Sequence, residues 1–202
     1  MPKSCASNWQ RFRVRRWTTG ATKTANTYLA DKVALRVEHL PEGSPLFVLD
    51  AYAGRGVVWE AVKKLTGRDI RTLPVDKDLG AFFGLWGDNR IYLESLDLAR
   101  FDAIDLDAYG VPYEQLSILF RRGYAGWVFV TFIQSDYNPY GGTPHQLLHE
   151  IGVSQMMIDK SPLLFGRRAY QYFLEWMGWH GVETIWHRGH IRKHYLAFQM
   201  VS

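Results

Sequence analysis

The chain has 202 residues, 47% of them hydrophobic, which is ample for a packed core, so a folded chain is expected rather than a disordered one, as one larger domain or one domain with a short appendage. A single cysteine, Cys5, excludes an internal disulfide and a thiolate zinc cluster, and no apolar run reaches the length of a membrane span. The formal charge is only +4, so partners must be sought in how charge is distributed rather than in its sum.

Residues 1–23 read as an irregular basic arm in which Arg11, Arg13, Arg15, Arg16 and Lys23 alternate with Trp9, Phe12 and Trp17. Cations can neutralise phosphates while rings stack on bases, although an ordinary solvated surface has the same composition. No apolar stretch follows these charges as a secretory signal requires, so a reducing, cytoplasmic setting is expected. The folded domain is expected over residues 24–202.

Asn26 can cap a helix over residues 27–40, with Leu29, Val33, Val37 and Leu40 on one face, before the proline-rich 41–45 stretch breaks it. Residues 46–49 form a short, wholly apolar run, the pattern of a central parallel strand buried on both faces. The loop 50–56 follows, then a helix over 57–66 closed by Gly67. Residues 70–75 form a second strand despite Pro74, and 80–86 suit a short helix followed by a small strand. A strand over 101–106, a helix over 111–122 with Pro112 in its first turn, and a strand over 127–132 come next. A polar loop over 134–143 leads to a helix starting near Pro144 and a second over 162–177. Strands over 182–186 and 195–200 then flank a tight basic turn, residues 188–193, containing Gly189. Alternating strands and helices predict an α/β domain, a mostly parallel sheet ending in an antiparallel hairpin with helices on both faces.

In such a sheet, ligands bind beyond the carboxyl ends of the strands, which directs attention to the loop after residues 46–49. Gly54 and Gly56 allow a sharp turn and close approach of backbone to ligand. A dinucleotide loop would need a small residue where Trp59 stands, and Asp50 at the strand end would repel a pyrophosphate. A carboxylate there suits a cationic ligand, and S-adenosyl-L-methionine carries both an ammonium and a sulfonium.

The segment Val48-Leu49-Asp50-Ala51-Tyr52-Ala53-Gly54-Arg55-Gly56 resembles the first motif of class I S-adenosylmethionine-dependent methyltransferases. Asp76, beside Lys77, falls where that family places an acid on the ribose hydroxyls. Gly87-Asp88-Asn89 resembles the next element, whose Asp contacts the adenine amino group. The resemblance implies a Rossmann-like, seven-stranded class I methyltransferase fold. It also implies a cofactor site made by Asp50, Tyr52, Gly54, Gly56, Asp76, Lys77, Asp88, Asn89 and Asp105.

Residues 101–112 occupy the position of the fourth motif and resemble the Asp-Pro-(Phe/Tyr)-Gly-Ser-Pro segment of tRNA guanine N2-dimethyltransferases. More loosely they resemble the Asp-Pro-Pro-Tyr loop of nucleic-acid amino-methyltransferases. An exocyclic amine is a poor nucleophile because its lone pair is delocalised into the ring. A carboxylate accepting its N–H localises that pair, and an aromatic ring positions the base. The resemblance implies these catalytic roles for Asp107 and Tyr109. The chain departs from the motif at Ala108, in place of the first proline, and at Val111, in place of the serine.

Asn138-Pro139-Tyr140 also resembles a trimmed amino-methyltransferase loop, but it follows the fifth strand; Asn138 and Tyr140 are read as a substrate loop or a rival catalytic site. His145 and His149 share a helical spacing, yet Gln146 stands where a zinc protease motif needs Glu, and no metal is expected. In the implied topology the basic turn with Arg188, Arg192 and Lys193 overhangs the substrate entrance, as a nucleic-acid substrate favours. The expectation is methylation of an RNA, such as tRNA, or DNA base amine, held by that turn and by Arg11, Arg13, Arg15, Arg16 and Trp17. Small-molecule or protein methylation, and non-catalytic nucleic-acid binding on the same fold, are the alternatives.

Overall fold

The computed structural model describes residues 28–77, 84–134 and 142–201. The basic arm, the Asn26 cap, residues 80–83 and the Asn138–Tyr140 loop lie outside them. Among the described residues the strands are β1 (Leu46–Asp50), β2 (Ile70–Asp76), β3 (Leu85–Trp86), β4 (Ala103–Leu106), β5 (Gly126–Ile133), β6 (Trp186–His190) and β7 (Lys193–Met200). They form one sheet in the order β3-β2-β1-β4-β5-β7-β6, with β7 antiparallel to both its neighbours and every other pairing parallel.

The chain winds outward from β1 in one direction through β2 and β3, and in the other from β4. The crevice beyond the carboxyl ends of β1 and β4 is therefore the topological switch point. Leu49, Ile104 and Val128 have no exposed surface, as strands covered on both faces require. On one face, α1 (Leu29–Glu38) and α2 (Val57–Thr66) pack Val33, Leu35, Trp59 and Val62 against Val48, Ala103 and Phe129. On the other, α3 (Asn89–Ser95), α4 (Tyr113–Arg121), α5 (His145–Glu150), α6 (Gln155–Lys160), α7 (Pro162–Arg167) and α8 (Ala169–Trp179) enclose a larger core that includes Leu93, Leu116, Leu148, Phe173 and Trp176.

Pro74 is tolerated because β2 meets β3 only from Val75 onward, so no ladder bond is asked of it on that side. Elsewhere the structure departs from the sequence-based expectations for tertiary reasons. The buried face of α1 is Lys32, Val33, Leu35 and Arg36, while Val37 faces solvent, because Asp105 on β4 and Asp107 just past it need cations there. The expected 162–177 helix is two helices broken at Arg168 (φ −107°, ψ 17°), and α3 was not foreseen. Val182 is buried against α8, its N–H donating to the Met177 carbonyl, so β6 begins only at Trp186. His190 and Lys193 pair, which narrows the turn to Ile191 and Arg192 and leaves Arg188 and Gly189 inside β6. A Cβ on Gly189 would collide with the His187 imidazole.

Candidate active site

The turn after β1 is stitched to the strands on either side of it. Ala51 N–H donates to the Asp105 carbonyl (2.9 Å), Ala53 N–H to the Val75 carbonyl (3.1 Å), and Gly56 N–H to the Ala53 carbonyl (2.7 Å). Gly54 (φ 51°) and Gly56 (φ 67°) both adopt the left-handed conformation, which costs any other L-residue roughly 1–2 kcal/mol. Gly56 then opens α2. The Asp76 carboxylate, at the end of β2, accepts the Gly54 N–H at 2.7 Å and so braces the turn itself.

Further carboxylates lie near this turn. Asp50 stands beside Asp105 in the β1–β4 register and is 5% exposed. Burial, then the charges of Asp105 and Asp107, push its carboxyl well above the usual range. Asp88 caps α3 by accepting the Arg90 N–H (3.0 Å). Its ion pairs with Arg90 (2.5 Å) and Lys77 (3.3 Å) accompany a carboxyl held below its ordinary range, chiefly by the Arg90 hydrogen bonds. Half-buried Tyr52 packs on the larger core, and burial raises its phenol.

Asn89 and Asp105, expected from the sequence to touch cofactor, are committed elsewhere. Asn89 is buried: its amide donates to the Ala51 carbonyl (2.8 Å) and accepts from Gln115 Nε2 (2.9 Å), tying the turn to α4. Asp105 is 1% exposed, and both its oxygens are taken, by Arg36 (2.7 and 2.6 Å) and by the Trp59 indole (2.7 Å). Trp59, read from the sequence only as an obstacle to a dinucleotide, is one of its donors. Both side chains are held by neighbouring groups of the protein.

Asp107, just past β4, lies at the carboxyl edge. Lys32 Nζ sits 2.6 Å from each of its oxygens, and Thr131 Oγ1 donates to Oδ1 at 2.5 Å. Although burial alone would raise it, Lys32 and Arg36 hold this carboxyl below its usual value. Lys32 and Arg36 escaped the sequence reading. Their i, i+4 spacing on a helix with apolar neighbours was the available signal, and it is also that of a solvated stripe. Tyr109 is 72% exposed at the rim of the same loop.

The hairpin turn does reach the carboxyl edge, since Ile133 pairs with Lys193 and Gln134 N–H donates to the Arg192 carbonyl (2.8 Å). Arg188, however, is turned to α1, paired with Glu38 and 3.9 Å from Asp31; the expectation that it overhangs the entrance is corrected. His190 sits 3.0 Å from Asp31 and stacks on Tyr28, with ring centroids 3.5 Å apart. Burial, then the neighbouring Lys32 charge, lowers the Lys193 ammonium. His187 and His194 share a hydrogen bond (3.0 Å), and Tyr170 stacks on His194, whose imidazole burial lowers to about 4. His149 contacts the Val153 carbonyl through Nδ1. Among the described residues no group of three potential ligands could hold a metal ion.

No protein-family model matches the sequence, and no curated protein matches it. Solved structures do. The chain is similar to Trm1 from Pyrococcus horikoshii in complex with S-adenosyl-L-methionine, with a TM-score of 0.58 at 12% identity, over 92% of this chain and 58% of that one. A Bordetella parapertussis protein provisionally described as exported matches with a TM-score of 0.55 at 10% identity, over 87% of this chain and 67% of that one. A Clostridium thermocellum protein provisionally named an rRNA methylase matches with a TM-score of 0.50 at 13% identity, over 86% and 96%. With the strand order, the antiparallel β7 and the glycine turn after β1, these likenesses show a Rossmann-like fold, shared with the Pyrococcus Trm1 structure.

Proposed function

We propose that the protein is an S-adenosyl-L-methionine-dependent methyltransferase acting on a nucleic-acid base amine. The observation that carries this reading is the meeting of acid and glycine turn at the β1–β4 switch point. There, buried Asp50 accompanies a left-handed Gly54–Gly56 turn braced by Asp76. The ligand's ammonium, sulfonium and ribose hydroxyls are cations or hydrogen-bond donors, and the turn is ringed by acceptors, so donor set and ligand match. The glycines leave room for close approach, Asp50 faces positive charge, and Asp76 and Asp88 with Lys77 line the ribose and adenine side. When bound, the cofactor supplies an electrophilic methyl group on a sulfonium.

The chain's own contribution to transfer is orientation. Asp107, kept ionised, accepts an amine N–H and directs the nitrogen lone pair, while Tyr109 stacks on the base. Arg192 and Lys193, on the hairpin beside β5, meet the phosphate backbone. Asn138, Tyr140 and the basic arm belong to the same reading as further substrate contacts.

The test has two arms. Calorimetry with S-adenosyl-L-methionine should show binding by wild type and loss of affinity in Asp50→Ala; equal affinity would place the cofactor elsewhere. Transfer from labelled cofactor is then measured against total tRNA, rRNA, DNA and protein. Label in a nucleic-acid fraction supports the reading. Label in protein alone, or in none of the four, overturns the substrate assignment.

A further inference from the structure

We propose that Lys32 is a positioning residue of the acceptor site, fixing the plane of the Asp107 carboxylate and keeping it charged, so that the remaining edge of Oδ2 is presented to a substrate N–H. The chemistry rests on the function proposed above; the placement rests on geometry.

Lys32 and Arg36 lie one helical turn apart on α1, so their side chains leave the same face. They do different things. Arg36 reaches under the sheet to Asp105, where both side chains are 1% exposed, and that pair docks α1. Lys32 reaches to the carboxyl edge, where its side chain is 7% exposed and that of Asp107 is 16% exposed. A buried ammonium is stable only beside a counter-charge, so its position 2.6 Å from both oxygens requires an ionised Asp107.

A carboxylate offers about four acceptor directions. Lys32 uses one on each oxygen and Thr131 takes a second on Oδ1, so among the described residues Oδ2 accepts from Lys32 alone. Both flanking donors are themselves buried, Lys32 on α1 and Thr131 on β5, and hold the carboxylate from two elements. Among the described residues, the other charged or titratable groups facing Asp107 are Arg36 from α1, Asp50 from β1 and Lys193 and Tyr195 from β7. None of them spans both oxygens.

The experiment is a 13C-carboxyl NMR titration of Asp107 in the full chain, with the resonance assigned through Asp107→Asn. Wild type, Lys32→Met, Lys32→Gln and Lys32→Arg are compared, each first shown to be folded by its thermal transition. Loss of an opposite charge this close should raise the Asp107 titration by about 1 pH unit or more in Lys32→Met or Lys32→Gln. Lys32→Arg should restore most of that shift. The acid limb of the methyl-transfer pH profile on total tRNA should move with it. An Asp107 titration unmoved in the neutral variants, or moved equally in Lys32→Arg, overturns the assignment. Absence of transfer by wild type counts instead against the proposed function, and the titration still decides the role of Lys32.

Discussion

Arg36 and Asp105, 69 residues apart in sequence, form a bidentate ion pair at the heart of the domain, with Nε and Nη2 at 2.7 and 2.6 Å from the two carboxylate oxygens. The pair joins the first helix to the central strand, and Trp59 from α2 completes it. Breaking a buried pair by removing one partner leaves an uncompensated charge, so Arg36→Met should destabilise the fold by about 3–5 kcal/mol. Arg36→Met with Asp105→Leu should cost markedly less than the two single changes added together. Urea unfolding of the three variants checks this, and strict additivity would deny the coupling.

The two carboxylates above that pair should titrate in opposite senses. Asp107 is depressed in the folded state, so its contribution to stability is complete above the ordinary carboxylate value and is lost as pH falls toward the folded one. Asp50 is raised by burial, so its ionisation opposes folding. That penalty grows as pH rises past the ordinary carboxylate value and levels off above the folded one. Asp50→Asn should therefore melt higher than wild type at neutral pH, with the gap closing on acidification. Asp107→Asn should melt lower at neutral pH, and its deficit should shrink in acid. Melting curves from pH 3 to 8 distinguish the two.

Asn89 is the tie between the glycine turn and α4. Asn89→Ala leaves the Ala51 carbonyl and the Gln115 amide without their partner, which should cost about 1–3 kcal/mol of stability. It should also weaken S-adenosyl-L-methionine binding, measured by calorimetry, because the glycine turn loses its tie to α4. An unchanged affinity would show that the turn holds its shape without this brace.

Gly56 tests the turn directly. Gly56→Ala must hold a left-handed residue at the start of α2, at a cost of roughly 1–2 kcal/mol, and places a methyl group where backbone meets ligand. Cofactor affinity should fall further than stability does; parallel losses would mean strain alone.

At the rim, charge and ring should separate. Lys193→Ala should weaken RNA binding and lower the slope of log K against log salt by about 1, as removal of one phosphate contact does. Tyr109→Ala should lower affinity by about 1–3 kcal/mol while leaving that slope unchanged, as loss of a stacking ring does. Salt titrations of binding to a tRNA pool measure both.

The strand–turn–helix around Gly54 and Gly56 was legible in the sequence because its causes are local: an apolar run, two glycines and a capped amphipathic helix lie within about 20 residues. The mostly parallel sheet and its closing antiparallel hairpin followed from the alternation of strands and helices and from the family resemblance, whereas the order of the strands came from the structure. What only the tertiary structure decided is which acids are available. Asp105 reads as a pocket residue until Arg36 and Trp59 are seen to occupy it, and Asn89 reads as a ligand contact until Ala51 and Gln115 claim its amide. Arg188 reads as substrate-facing until Glu38, 150 residues earlier, takes it. Apolar periodicity put Val37 inward, whereas Asp107 and Asp105 drew Lys32 and Arg36 in. A hydrophobic stripe is a property of one helix. A counter-ion is a property of whatever the fold places opposite it, and for Lys32 that partner lies 75 residues away along the chain.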